Sequence, residues 1–214
     1  MTTPRISDNS PGTLSFPEYK GLYALIVSEV EGLDAAHLDF ISDRWSWSGW
    51  SIRRQLDHVA SIIYRWLLLR WGKTLFPHDG PLYGFTQPDY DNRIDERPYR
   101  ELPEIMEKLR HGIDLAQSVL RNHTVGFLRS HTYTYPTDEY TDVIRRAHPI
   151  GLTVSGDGLT ELITIEATFQ HIYFEAITHL YNIQRLKRAQ GLATVVNLPR
   201  VGYWILEGWD RSEP

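Results

Sequence analysis

His171, Glu175 and His179 lie four residues apart in the segment TFQHIYFEAITHLYNIQRL, which runs from Thr168 to Leu186. Side chains at that spacing stack along one face of a helix, and imidazole and carboxylate are both metal ligands. Coordination of a divalent ion is the first chemistry they suggest. Three residues strung over about 12 Å of helix axis, at about 1.5 Å per residue, cannot all reach one ion. A partner must come from another element. His58, in the segment WSWSGWSIRRQLDHVASIIYRWL, sits at the border of an apolar helix face, where it could point into a cavity between helices. Taken alone, such a histidine reads as a core side chain satisfied by one hydrogen bond. Facing His179 and Glu175, it would complete three positions and leave others for water or substrate.

Apolar periodicity places these residues on helices. A first helix is expected from about Pro17 to Gly32, carrying Tyr19, Leu22, Leu25, Ile26 and Val30. A second begins after Ser48 or Ser51 as cap and runs to about Trp71, stopped by Gly72, with Ile52, Leu56, Val59, Ile63 and Trp66 inward. A third runs from about Leu102 or Pro103 to Leu120, interrupted by Gly112. The fourth and longest, capped by Asp157 or Thr160, starts at about Gly158 or Glu161 and ends at Gly191. Between the third and fourth, His131 to Tyr135 alternates like a strand, and Ile150 to Val154 could pair with it as a small β-hairpin. The expected architecture is all-α, a four-helix bundle with long connections and a pocket between its helices.

The 214 residues, 42% hydrophobic and 23% charged, suit one globular domain spanning 1–214. Residues 1–15 read as a flexible arm, 73–100 as a long loop and 192–214 as a tail with one amphipathic turn. The net charge of −5 is spread over intermixed acids and bases with no basic stripe, which argues against nucleic acid as a partner. With no cysteine, any transition metal must be held by nitrogen and oxygen, and no thiol nucleophile resides in the chain. No signal-peptide core and no run of about 20 apolar residues is present, so a cytoplasmic location without membrane contact is expected. Five of the seven tryptophans, Trp45, Trp47, Trp50, Trp66 and Trp71, crowd one stretch that either anchors the core or walls a pocket.

The run WSIRRQLDHVA, Trp50 to Ala60, resembles the second-helix signature of the DinB-like superfamily, and HxxxExxxHLYNIQRL resembles that family's last-helix signature. The resemblance covers roughly Phe16 to Gly191. It implies a four-helix bundle holding a divalent metal through one histidine of the second helix and two, four apart, of the last. His58 and His179 match two of these ligands, and His171 matches a histidine found two turns upstream. The remaining ligand position, normally histidine, is Glu175. Glutamate is itself a ligand for zinc, nickel, iron or manganese, so His58, Glu175 and His179 form the expected metal set, with His171 behind it. The opposing reading is that metal binding is weakened or lost and Glu175 pairs with an arginine or with His171.

The resemblance further implies hydrolase or thiol-transfer chemistry on a small-molecule substrate, the latter with a low-molecular-weight thiol cofactor. A non-catalytic binding or stress-associated protein on the same bundle is the alternative, and a homodimer through an exposed helix face suits either. No catalytic residue is assigned. Asp57, Tyr173 and Tyr181 are candidates for proton transfer, each with packing or solvation as the plainer reading. His37, His78, His111, His123, His131 and His148 are scattered over loops or exposed positions, where solvation is expected. Gly156 and Gly158 read as a turn rather than a nucleotide loop, and Ser61 lacks the partners of a serine hydrolase.

Overall fold

The computed structural model describes residues 6–78, 86–87, 90–94, 100–137, 140–148 and 150–214 of the chain. Four helices bury the apolar stripes that their sequences carry. Helix α1 (Tyr19–Val30) turns Tyr19, Leu22, Ile26 and Val30 inward, and a short α2 (Ala35–Asp39) follows, its His37 amide capped by the Asp34 carboxylate at 2.9 Å. Helix α3 (Ile52–Tyr64) starts where the Ser51 hydroxyl accepts the Arg54 amide. A short α4 (Gly72–Leu75) precedes strands β1 (Thr86–Gln87) and β2 (Tyr90–Ile94), an antiparallel pair. The third long helix, α5 (Leu102–Asn122), opens with a capping box between Glu101 and Glu104 and a proline in its first turn.

Helices α6 (Val125–Ser130) and α7 (Thr141–Ala147) flank strand β3 (Thr132–Pro136). Strands β4 (Leu152–Val154) and β5 (Thr160–Thr164) then lead directly into α8 (Ile165–Ala189). Among the described residues the chain is mostly helical, with a small three-stranded antiparallel sheet in the order β3-β5-β4. Helix α3 packs against α5 and α8, and α1 packs against the same two. No described helix is long and apolar enough to cross a membrane.

Three expectations need correction. Within His131 to Tyr135 and Ile150 to Val154, Thr132 to Tyr135 and Leu152 to Val154 lie on strands, but they do not pair with each other: both flank β5, with Tyr133 and Leu152 each opposite Ile163. The fourth helix accordingly starts at Ile165 rather than near Gly158 or Glu161. Thr160 to Thr164 alternates, with Glu161 and Ile163 buried, and Thr164 is the cap, its hydroxyl accepting the Ala167 amide at 3.1 Å. The second helix does not run regularly to Gly72. After Tyr64 it widens into a π-type turn, Arg65–Arg70, in which the Trp71 amide reaches back to the Trp66 carbonyl at 2.9 Å, and Gly72 opens α4 instead of stopping the chain.

Of the long loop 73–100, residues 79–85, 88–89 and 95–99 lie outside the described residues. Its strand β2 packs on α3. From Ile6 onward the amino-terminal arm is held at the α5–α6 junction, where the Val125 and Gly126 amides donate to the Ser10 and Asp8 carbonyls. The carboxyl-terminal tail is fixed too. Buried Glu29 of α1 accepts from Lys187 Nζ at 2.6 Å, from Gln184 Nε2 at 2.9 Å and from the backbone amides of Val195 and Val196. One carboxylate thereby joins α1, α8 and the tail, which carries a 3-10 turn at Tyr203–Ile205 laid on α8.

Candidate metal centre

His58 on α3 faces Glu175 and His179 on α8. Nε2 of His58 lies 3.5 Å, and Nε2 of His179 3.1 Å, from Oε2 of Glu175, and the three ligating atoms all fall within 4.8 Å of one another. Two neighbours set their aim. Nδ1 of His179 donates to the side-chain oxygen of Gln55, one turn before His58 on α3, and the Gln55 amide in turn donates to the Trp50 carbonyl. With Nδ1 so committed, Nε2 is the nitrogen left to coordinate, an arrangement typical of metal-ligating histidines. Trp50 lies parallel to the His179 ring at 5.8 Å and tilted against His58 at 5.3 Å, covering both imidazoles, and the Arg54 guanidinium sits over the Trp50 ring at 4.7 Å.

Burial and hydrogen bonding act in opposite directions here. Burial pushes the Glu175 carboxyl up, but the imidazoles of His179 and His58 within hydrogen-bonding reach and the nearby His171 outweigh it, so the group stays ionised well below the usual carboxylate range. His58 is lowered, chiefly by burial, against the opposing pull of Glu175. Both shifts favour the forms that bind a cation, a bare imidazole nitrogen and a carboxylate.

The trio opens onto a cavity of about 470 Å³ between α3, α8, β3, α7 and the tail. Trp50 and Trp66 wall it, so the tryptophan-rich stretch divides: Trp71 is core, its indole donating to Thr168, while Trp45 and Trp47 stack on each other farther out. The widened turn after α3 brings Arg65, Trp66 and Arg70 to the lining, with the Arg70 guanidinium 4.0 Å above the Trp66 ring. Comparison with protein-family models, with curated proteins and with solved structures returns no match for this chain.

His171 stands apart from the trio. Its Nδ1 lies 2.6 Å from the Tyr203 hydroxyl, which also lies 3.3 Å from Nε2 of His148. His148 corrects an expectation: it is 1% exposed rather than solvated, and its Nδ1 donates to the Ile144 carbonyl at 2.9 Å. Burial lowers His148 to about 4 and His171 to about 3, and it raises the Tyr203 phenol well above 10. Tyr203 is seated by Thr178, whose hydroxyl accepts its amide at 2.8 Å. Gly202, at φ +103°, allows the approach, since a Cβ there would fall 2.9 Å from the Thr178 oxygen.

The other candidates lie elsewhere. Asp57 is buried on α3, Tyr173 packs against Tyr19, Tyr181 stacks on Trp204 and donates to Glu213, and none of them lines the cavity. Ser61 donates to the His58 carbonyl within its own helix. His78 and His111 are exposed, His37 is half-buried, and His123 and His131 are half-buried on either side of Phe127. Gln55 was within reach of sequence reasoning, three residues before His58 on one helical face. Tyr203 and His148 carried no local signal.

Proposed function

We propose that this chain is a metal-dependent enzyme of the DinB-like type acting on a small molecule, with His58, Glu175 and His179 holding a divalent ion. The observation that carries the proposal is the meeting of one imidazole from α3 with an imidazole and a carboxylate from α8, at the wall of a cavity large enough for a small substrate. The pairing of α1, α3, α5 and α8 supports the four-helix arrangement of that family. Two nitrogens and one carboxylate suit zinc, nickel, iron or manganese and leave positions for other ligands.

An ion held there supplies Lewis acidity, lowering the pKa of a coordinated water or holding a substrate thiol as thiolate. The chain's own residues prepare the rest: Gln55 orients His179, Trp50 shields both imidazoles from water, and Trp66 offers a flat wall for a substrate. Because no cysteine is present, a reacting thiol must arrive as a low-molecular-weight cofactor or with the substrate. The reaction class is therefore hydrolysis or thiol transfer.

A second reading has its own support: Glu175 is already within hydrogen-bonding reach of both histidines without any ion, as a purely structural polar trio would be. One experiment separates the two. Protein purified without a histidine tag or chelating resin is expected to carry a divalent metal on elemental analysis. Zinc, nickel or manganese should raise its thermal midpoint, and should not do so for His58→Ala or His179→Ala. A metal-free wild type that gains no thermal stability from any of these ions would sink the enzyme reading.

A further inference from the structure

We propose that His171 is the base of this pocket: a neutral imidazole whose proton is held on Nδ1 by Tyr203 and His148, so that Nε2 accepts the proton of a substrate hydroxyl, thiol or water. The base role rests on the metal-enzyme reading, whereas the proton placement stands on hydrogen-bond geometry alone.

The placement follows from counting protons along a buried chain. The Ile144 carbonyl can only accept, so His148 carries its proton on Nδ1. Neutral His148 then has a lone pair on Nε2, and among the described residues the group that hydrogen-bonds to it is the Tyr203 hydroxyl at 3.3 Å. With its single proton used there, the Tyr203 oxygen turns a lone pair toward Nδ1 of His171 at 2.6 Å, and that nitrogen must donate. The reverse order would set the Tyr203 oxygen and His148 Nε2 against each other, lone pair to lone pair. A neutral imidazole has one N–H, so Nε2 of His171 is bare. No described residue hydrogen-bonds to it, and the ring lines the cavity one turn before Glu175.

The geometry has the parts of a general base held by a third group: an acceptor nitrogen, a fixed tautomer, and an orienting chain behind it. When Nε2 takes the proton from a substrate X–H, X keeps the bonding electron pair and the ring becomes an imidazolium. Its charge is favoured by Glu175 and disfavoured by His148, Arg65 and Arg70, the charged and titratable groups around it. The proton can then return to the leaving group. Burial holds the ring neutral and its acceptor nitrogen free across the ordinary pH range; the same lowering makes it a weak base, so the proton it takes must come from a group that is itself acidified, as a thiol or water beside a bound ion would be. Tyr203 and His148 act through His171 and are positioning residues.

Histidine tautomers can be read directly by long-range ¹H–¹⁵N spectra of protein labelled at the imidazole nitrogens. The wild type is expected to show His171 protonated on Nδ1 with a bare Nε2, and an Nε2-protonated His171 would overturn the proposal. Tyr203→Phe should release this preference, giving an Nε2–H signal, and an unchanged tautomer would remove Tyr203 from its role. If that variant fails to fold, the wild-type spectrum still decides. Added zinc should shift Nε2 of His58 and His179 but not of His171; a shift at His171 would make it a ligand instead of a base. No shift at any histidine would reject the metal reading alone, with the tautomer judged as before. Saturating 2-mercaptoethanol, the probe thiol, is expected to move the His171 Nε2 resonance, and silence there would show that the nitrogen does not serve the pocket.

Discussion

Gln55 does its work through one proton. By accepting from Nδ1 of His179 it leaves Nε2 to face Glu175, and partners of this kind support metal affinity by about 10–100-fold. Gln55→Leu is therefore expected to weaken zinc binding by about that factor in competition with a chromophoric chelator, while the fold persists; equal affinity would show that the Trp50 stack alone orients the ring. His148 and His171 make a separate demand. Both are neutral in the folded chain, lowered by burial to about 4 and about 3, whereas an unfolded histidine titrates near 6.5. Between those values the unfolded state binds protons that the folded state refuses, so stability is whole above about pH 6.5 and falls as pH drops toward 4. By pH 5 each histidine should cost about 2 kcal/mol. Urea unfolding at about pH 7.5 and about pH 5 measures this sum, and equal free energies would contradict the burial of these rings as neutral groups.

Strand β5 and helix α8 meet without a loop, and Thr164 makes the junction. Its hydroxyl caps the Ala167 amide, its backbone ends the ladder to β3, and its amide donates to the Gly151 carbonyl. Thr164→Ala is expected to cost about 1 kcal/mol through the lost cap. Gly151→Ala should cost more, because Gly151 has φ +80° and a Cβ there would fall 2.4 Å from the Thr164 hydroxyl; chemical denaturation of the two variants gives the ranking. This junction also shows where sequence reading stops. Helices α1 and α5 and the body of α8 were legible because their apolar residues recur at three and four over many turns. Thr160 to Thr164 was not, since five residues after a glycine turn, with Thr160 available as a cap, serve a helix start as well as a strand, and only pairing with β3 decides between them. The meeting of His58, Glu175 and His179 was legible for the same reason as the helices, being built on a four-residue repeat plus one facing histidine. Tyr203 and His148 come to His171 from 32 and 23 positions away, from the tail and from the end of α7, where no periodicity reports proximity.

At the scale of the whole chain, the cavity depends on the carboxyl-terminal tail as much as on the helices. Tyr203 and Trp209 line it, and the last residues also satisfy a buried cation, Arg185, whose Nη2 lies 3.8 Å from the Asp210 carboxylate. Arg185 is fully buried on α8, with Nη1 donating to the Asp210 carbonyl at 2.9 Å, Nη2 to the Ser212 carbonyl at 2.8 Å, and the guanidinium stacked 3.9 Å from the Trp47 ring. Removing residues 201–214 would strip those acceptors from a charge that cannot easily reach water, and breaking a buried pair in this way costs about 3–5 kcal/mol. The truncated chain is therefore expected to unfold at markedly lower urea. Arg185→Met in the truncated background should recover part of the loss, because it removes the stranded charge and keeps a side chain able to pack under Trp47. If the truncation hurts and Arg185→Met recovers nothing, the tail stabilises the fold mainly by covering the apolar face of α8 with Tyr203 and Trp204, and the cavity is lost with that cover. If the recovery occurs, zinc binding measured on the rescued chain asks whether the trio of His58, Glu175 and His179 survives without its outer wall, as the placement of all three ligands on α3 and α8 requires.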